Sequence, residues 1–186
     1  MQIEDKILQG TLDVFRIKGI KFTMDDLAKH LGISKRTLYE SVKSKEKLLI
    51  DSVDTVFDLI KKLEIEIYEN NDLNDIEKLK NLITVLPKGL GSISYNRIFE
   101  VNKYYPQVYE KMMMRVDSGW ELTLDLLEEC MNKGLIKKTN PLLVKHMIVA
   151  CVNELLQNDF LYRENMDYSE CYKEVINIIF LGIEMK

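Results

Sequence analysis

The stretch Thr23-Met24-Asp25-Asp26-Leu27-Ala28-Lys29-His30-Leu31-Gly32-Ile33-Ser34-Lys35-Arg36-Thr37-Leu38-Tyr39, followed by Ser44-Lys45-Glu46-Lys47-Leu48, decides the fold. Thr23, Ser34 and Ser44 each stand immediately before a short run with helical spacing, where a hydroxyl accepts hydrogen bonds from the free N–H groups of a first turn. Asp25 and Asp26 place negative charge at the positive end of the first of these helices. Gly32 suits the left-handed residue that ends it, and only Ile33 separates that glycine from the next cap. Two helices joined by so tight a turn must cross steeply, with Ala28, Leu31, Ile33 and Leu38 packing at the elbow and the second helix left protruding.

Working outward, residues 3–18 repeat apolar side chains at helical spacing and stop at Gly19, which gives a first amphipathic helix. Downstream of Ser44, apolar positions Leu49, Val53, Val56, Phe57, Ile60, Leu63 and Ile67 keep one face of a helix continuous to about Tyr68. Further helices are predicted over Asp75–Leu86, Ser92–Lys103, a long one from Pro106 to about Lys133, then 141–162 and 168–184, with Pro87-Lys88-Gly89-Leu90-Gly91 as the strongest turn signal. The last two are more apolar than one small bundle requires, and a second copy of the chain is the simplest cover. The expected class is all-α: an N-terminal three-helix helix-turn-helix unit (1–47) and a C-terminal helical bundle (48–186) that pairs with its copy. The boundary falls inside a helix.

Composition agrees. Of 186 residues, 46% are hydrophobic and 30% charged, and only 8 Gly and 3 Pro interrupt them, a balance that favours long helices over disorder. Net charge is −4, yet residues 1–47 carry ten Lys or Arg against seven acids, so a basic module precedes an acidic body. No stretch approaches the ~20 apolar residues needed to cross a bilayer, and the acidic start lacks the pattern of a secretion signal, so the expected location is the cytoplasm, without a membrane partner. Cys130, Cys151 and Cys171 have no metal-type spacing and read as small apolar residues, with a redox switch as the other reading. His30 and His146 have no ligand-spaced neighbours, and neither a phosphate loop nor a nucleophile elbow occurs; no metal, cofactor, catalytic residue or enzymatic activity is expected.

The quoted stretch resembles the DNA-binding signature of the TetR family of repressors, over about a quarter of the chain. Arg36 occupies a position that is frequently Gly in that family, and Ser41-Val42 replaces the usual His-Phe or Tyr-Phe pair, so operator preference does not transfer. The resemblance implies a homodimeric transcriptional repressor released from a palindromic operator on double-stranded DNA by a small hydrophobic or aromatic effector. The physics is consistent with it: Ser34, Lys35, Arg36 and Thr37 offer hydrogen-bonding and cationic groups at the helix end that enters a major groove, Arg36 suiting a guanine edge or a phosphate. Tyr39, Lys45 and Thr23 are candidate phosphate contacts.

Candidate effector contacts are Phe99, Tyr104, Tyr109, Met113, Trp120, Met147 and Cys151, from the aromatic and Met-rich part of the body, with His146 and Glu154 as polar anchors. Each of these also fits plain core packing. Two other readings stay open: a helical interaction protein that offers its helix-turn-helix surface to a protein partner, and a DNA-binding regulator without a small-molecule ligand.

Overall fold

Residues 3–87, 95–157 and 160–183 are described in the computed structural model, which is built from helices. The only extended pairing among the described residues is an isolated bridge position at Ile136. Helix α1 (Ile3–Lys18) runs into a 3-10 turn, Gly19–Lys21. Helices α2 (Met24–Leu31) and α3 (Lys35–Ser41) form the steep elbow, and α4 (Lys45–Glu69) follows. The body contains α5 (Asp75–Thr84), α6 (Tyr95–Tyr104), α7 (Pro106–Asp117), α8 (Glu121–Asn132), α9 (Pro141–Gln157), the short α10 (Phe160–Arg163) and α11 (Tyr168–Ile183).

The N-terminal elements start where their caps stand. The Thr23 hydroxyl accepts from the Asp26 N–H at 3.1 Å while the Asp26 carboxylate accepts from the Thr23 N–H at 2.9 Å, a reciprocal capping box. Ser34 and Ser44 accept from Thr37 and Lys47 in the same way, at 3.0 and 3.1 Å. Gly32 has φ +66°, the left-handed turn that lets the Ile33 N–H reach back to the Ala28 carbonyl. Behind the elbow, Leu27 and Leu38 are fully buried and Ala28 nearly so, whereas Leu31 and Ile33 are half-buried.

At 25 residues, α4 is about 37 Å long. Its first turns pack on α1 and its later ones on α5 and α7. One hydrophobic cluster accordingly extends from Ile7 in α1 through Leu48 and Leu49 in α4 to Phe180 in α11, so the N-terminal unit and the body share a core. The seam between them is reinforced at the 3-10 turn, where Lys21 pairs with Glu100 of α6 at 3.2 Å.

Two expected boundaries differ, and a third, inside 141–162, falls at residues 158 and 159, which lie outside the described residues. The helix expected from Pro106 to Lys133 is two helices, because Ser118 is extended, Gly119 adopts φ +71°, and the chain turns before resuming at Glu121. The carbonyls freed at the end of α7 find local donors: the Ser118 hydroxyl and N–H reach Arg115, and the Trp120 indole N–H reaches Val116 at 2.8 Å. Helix α5 stops at Thr84 because Val85 is extended, two residues ahead of Pro87. The span 141–162 is described as α9 and α10. The turn signal at Pro87–Gly91 and the expected helix start at Ser92 lie, from residue 88 to 94, outside the described residues.

Candidate nucleic-acid interface and effector cavity

Helix α3 is held from behind and open in front. Leu38 anchors it to the elbow, while Ser34, Lys35 and Arg36 are exposed at its N-terminal end and Thr37 is half-buried beside them. The Arg36 side chain is 89% exposed, with Nε donating to Glu40 at 3.0 Å one turn on. Lys35 reaches Asp25 of α2 at 2.7 Å. Solvated pairs of this kind are worth little, so both cations can be re-paired with phosphate or base acceptors at small cost. Tyr39 is 48% exposed on the same helix. The hydroxyls of Ser34 and Thr37 lie 2.8 Å apart, and Thr23 is engaged in its capping box at the start of α2. Lys18 at 2.7 Å, with the Thr23 donors, holds the Asp26 carboxyl down at about 2.

Lys45 departs from expectation. Instead of pointing outward from the start of α4, its ammonium folds under the unit, donating to the carbonyls of Ile20 and of Phe22, the latter at 2.5 Å. It lies 4.2 Å from the centroid of the Phe22 ring and 5.4 Å from that of Tyr105 at the start of α7. Burial lowers its pKa from the ordinary lysine value. The side chain thus closes the seam between N-terminal unit and body and leaves the exposed face to its neighbours.

The body contains a cavity of about 230 Å³. Its walls are the inner face of α4 (Val56, Phe57, Ile60, Lys61, Glu64), Met112, Arg115 and Val116 of α7, the Ser118–Trp120 break, and Tyr168 and Tyr172 of α11, with α5, α8 and α9 closing the remainder. Of the expected effector contacts whose side chains are described, the cavity brings in Trp120 alone. Met113 is half-buried and Tyr109 is buried with its hydroxyl on Asn153 at 3.3 Å, and neither is in the lining that Met112, Arg115 and Val116 supply from the same helix. Cys151 is half-buried away from the lining, and Met147 is exposed on α9, as are His146 and Glu154. Tyr104 is exposed beneath Lys21 and Lys103 at the seam. The Phe99 side chain lies outside what is described.

The polar groups of the cavity come from α4 and α7. Glu64 is 8% exposed, and its Oε2 accepts from the Lys61 ammonium at 2.6 Å. Burial raises the Glu64 pKa, an effect Lys61 opposes. Lys61 also donates to the Gly119 carbonyl, and a Cβ at that glycine would come within 2.6 Å of the Lys61 Cε. Arg115 is held by Asp54 at 3.1 Å and Asp58 at 2.8 Å, with its guanidinium 5.5 Å from the centroid of Phe57. The sequence reading missed Lys61, Glu64 and Arg115; the paired Lys and Glu three apart on the apolar face of α4 were the available signal.

Cys130 and Cys171 are buried and Cys151 half-buried, all three as free thiols, and burial pushes Cys130 up to about 11. Among the described residues no group of three or more His, Cys, Asp or Glu is placed to hold a metal, and no helix is long and apolar enough to cross a membrane.

A protruding, capped, short helix set against a steep elbow is the geometry of a helix-turn-helix. Residues 7–51 match the model of the bacterial regulatory proteins of the tetR family. The chain is 32% identical over 181 residues to the uncharacterized HTH-type transcriptional regulator YvaF of Bacillus subtilis (strain 168), covering 97% of this chain and 95% of that one. It belongs to the tetR family and is a DNA-binding transcriptional regulator. Solved structures with the same fold include a TetR transcription regulator from Haloarcula marismortui (TM-score 0.75, 12% identity, 98% of both chains). The fatty acid degradation regulator FadR from Bacillus halodurans is also similar (TM-score 0.65, 21% identity, 94% of this chain and 93% of that one). So is a Saccharomonospora viridis protein in complex with choline (TM-score 0.75, 14% identity, 99% of this chain and 98% of that one).

Proposed function

We propose that this regulator is a homodimeric repressor that leaves a palindromic operator when a small molecule enters the α4–α7 cavity. The observation that carries the reading is α4 itself, whose first turn completes the core behind α3 and whose later turns, from Val56 to Glu64, form a cavity wall. Residues 1–47 serve as the DNA-binding unit and 48–186 as the sensing and dimerising body, in the cytoplasm. Ser34, Lys35, Arg36 and Thr37 face the major groove, with Tyr39 and the start of α2 at Thr23 against the backbone. The choline complex of the Saccharomonospora viridis neighbour supports the idea that a body of this shape takes up small molecules.

The dimer is supported by apolar side chains left uncovered on the last two long helices: Leu142, Leu143 and Met147 on α9, with Ile178 at 62% and Leu181 at 80% exposure on α11. Pairing α9 and α11 with their copies gives a four-helix interface about a two-fold axis. In such a dimer a displacement of α4 changes the separation of the two recognition helices, which must match half-sites about 34–36 Å apart or a multiple of that.

Genomic fragments selected with the purified protein provide the operator for the test. Affinity for the selected site should fall more than about a hundredfold between 50 and 200 mM salt, as expected when several phosphates are contacted. Arg36→Ala should cost about tenfold or more in affinity and relax preference at one base pair, without lowering thermal stability. Salt-insensitive binding, or an Arg36→Ala protein that binds its site as tightly as wild type, overturns the assignment of α3.

A further inference from the structure

Glu64 is the most buried of the charged side chains that line the cavity. Its carboxylate lies in a wall that is mostly apolar and aromatic, with Lys61, Arg115, Ser118 and Thr123 as the other polar side chains, an arrangement that costs free energy unless positive charge is at hand. Among the described residues only its Oε2 has a protein hydrogen-bond partner, the Lys61 ammonium, which is shared with the Gly119 carbonyl. The carboxylate is therefore served by half of one cation. Glu121, at the start of α8, adds further negative potential at the same place.

The neighbouring cations do not make up the difference. Arg115 is bound by Asp54 and Asp58, and Asp54 also takes Lys111 at 2.9 Å. The lining itself holds Lys61 and Arg115 beside Glu64, and the carboxylates of Asp54 and Asp58 that occupy Arg115 stand outside it. Moreover, the charged donors that an anionic ligand would need are spent within the protein, which leaves the neutral hydroxyls of Thr123 and Tyr168. Lys61 and Arg115 are paired as described, the Trp120 indole N–H is on Val116, and the Tyr172 hydroxyl donates to the Ile83 carbonyl at 2.9 Å. The rings also offer their faces: Trp120 at the break, and Tyr168 stacked on Tyr172 with centroids 5.9 Å apart. Ring faces with a nearby carboxylate attract an organic cation and offer an anion nothing.

Resting on the reading of the cavity as the effector site, we infer that its ligand is an organic cation: an ammonium group directed at Glu64, carried on a flat apolar body that fits about 230 Å³. The incoming charge competes with Lys61 for the carboxylate. Once displaced, Lys61 ceases to tie α4 to the α7–α8 break, which gives the ligand a direct effect on α4.

Trp120 is the single tryptophan of the chain and lines the cavity, so its emission reports occupancy in the full-length protein. The probes are benzyltrimethylammonium, its uncharged carbon isostere neopentylbenzene, and phenylacetate as the anion. Benzyltrimethylammonium should bind about tenfold or more tightly than either of the others. Glu64→Gln should reduce it to the level of the neutral isostere while leaving that isostere unchanged, and Lys61→Met, which removes the internal competitor, should tighten it severalfold. If Glu64→Gln fails to fold by circular dichroism, the ranking of the three probes on wild type and the direction of the Lys61→Met change decide. A neutral or anionic probe that binds as well as the cation, or cation binding weakened by Lys61→Met, overturns the ligand class but leaves the cavity as an effector site. Failure of all three probes to perturb Trp120 overturns both.

Discussion

The helices that carry the DNA-facing residues and the two that flank the break in the cavity wall, α7 and α8, begin in different ways, although α5 and α11 on the same cavity are capped by Asn74 and Asp167. Each of α2, α3 and α4 opens on a hydroxyl, from Thr23, Ser34 or Ser44, that accepts from the N–H three residues on. Helices α7 and α8 open on Tyr105 and Trp120, with no side-chain cap at all. In the first region the chain specifies its turns locally, residue by residue. In the second, helix ends are set by what they meet: the Gly119 carbonyl by Lys61, the end of α7 by the Trp120 indole. Local specification allows a short helix to protrude and still hold its shape, whereas specification by contact leaves a wall able to change when its contacts do.

The contrast can be attacked first at Leu38. Caps decide where α3 starts, but each is worth only ~1 kcal/mol, whereas truncating a fully buried leucine costs about 2–5 kcal/mol. Leu38→Ala is therefore expected to lose about 3 kcal/mol in urea unfolding together with operator binding. A loss near 1 kcal/mol would mean that the caps alone hold the protruding helix.

Next in size is Lys45→Met, at the seam. It removes charge-assisted bonds to two carbonyls, at an expected cost of about 2 kcal/mol. Because the core is continuous, calorimetry should still show one transition, shifted downward. A separate early transition for the N-terminal unit would show that the two regions differ in stability as well as in how they are specified.

The smallest effect concerns pH. Asp26 is held at about 2, below the ~3.9 of an unfolded aspartate, so its contribution is fully present above the unfolded value and is lost as pH falls through about 2. Asp26→Asn should melt below wild type at neutral pH, and the gap should close on acidification. A gap independent of pH would assign the cap to geometry and not to charge.

How much could be read in advance follows the same division. The caps and Gly32 placed α2, α3 and the start of α4 correctly, because the atoms that fix them are three or four residues apart in the chain. The Pro at the start of α7 was equally visible. The break at Gly119 was not, since Asp117-Ser118-Gly119 interrupts an apolar pattern that continues on both sides, and Lys61, which fills the space beside that glycine, is 58 residues away. The turned-in Lys45 was hidden for the same reason: its acceptors, Ile20 and Phe22, lie on a 3-10 turn whose approach only the fold defines. Glu64 looked like one more charge on a long helix until α7, α8 and α11 closed around it.

The shared core has a practical corollary for anyone wishing to graft a new operator preference onto this sensor. The N-terminal unit is not a cassette that can be cut out at residue 47, since Leu48, Leu49 and Ser52 are buried at the start of α4. A chimera joined there would pair one parent's elbow with the other parent's packing. A junction placed beyond Val53, with Glu100 and Tyr105 kept opposite Lys21 and Lys45, transplants the surface together with the residues that seat it.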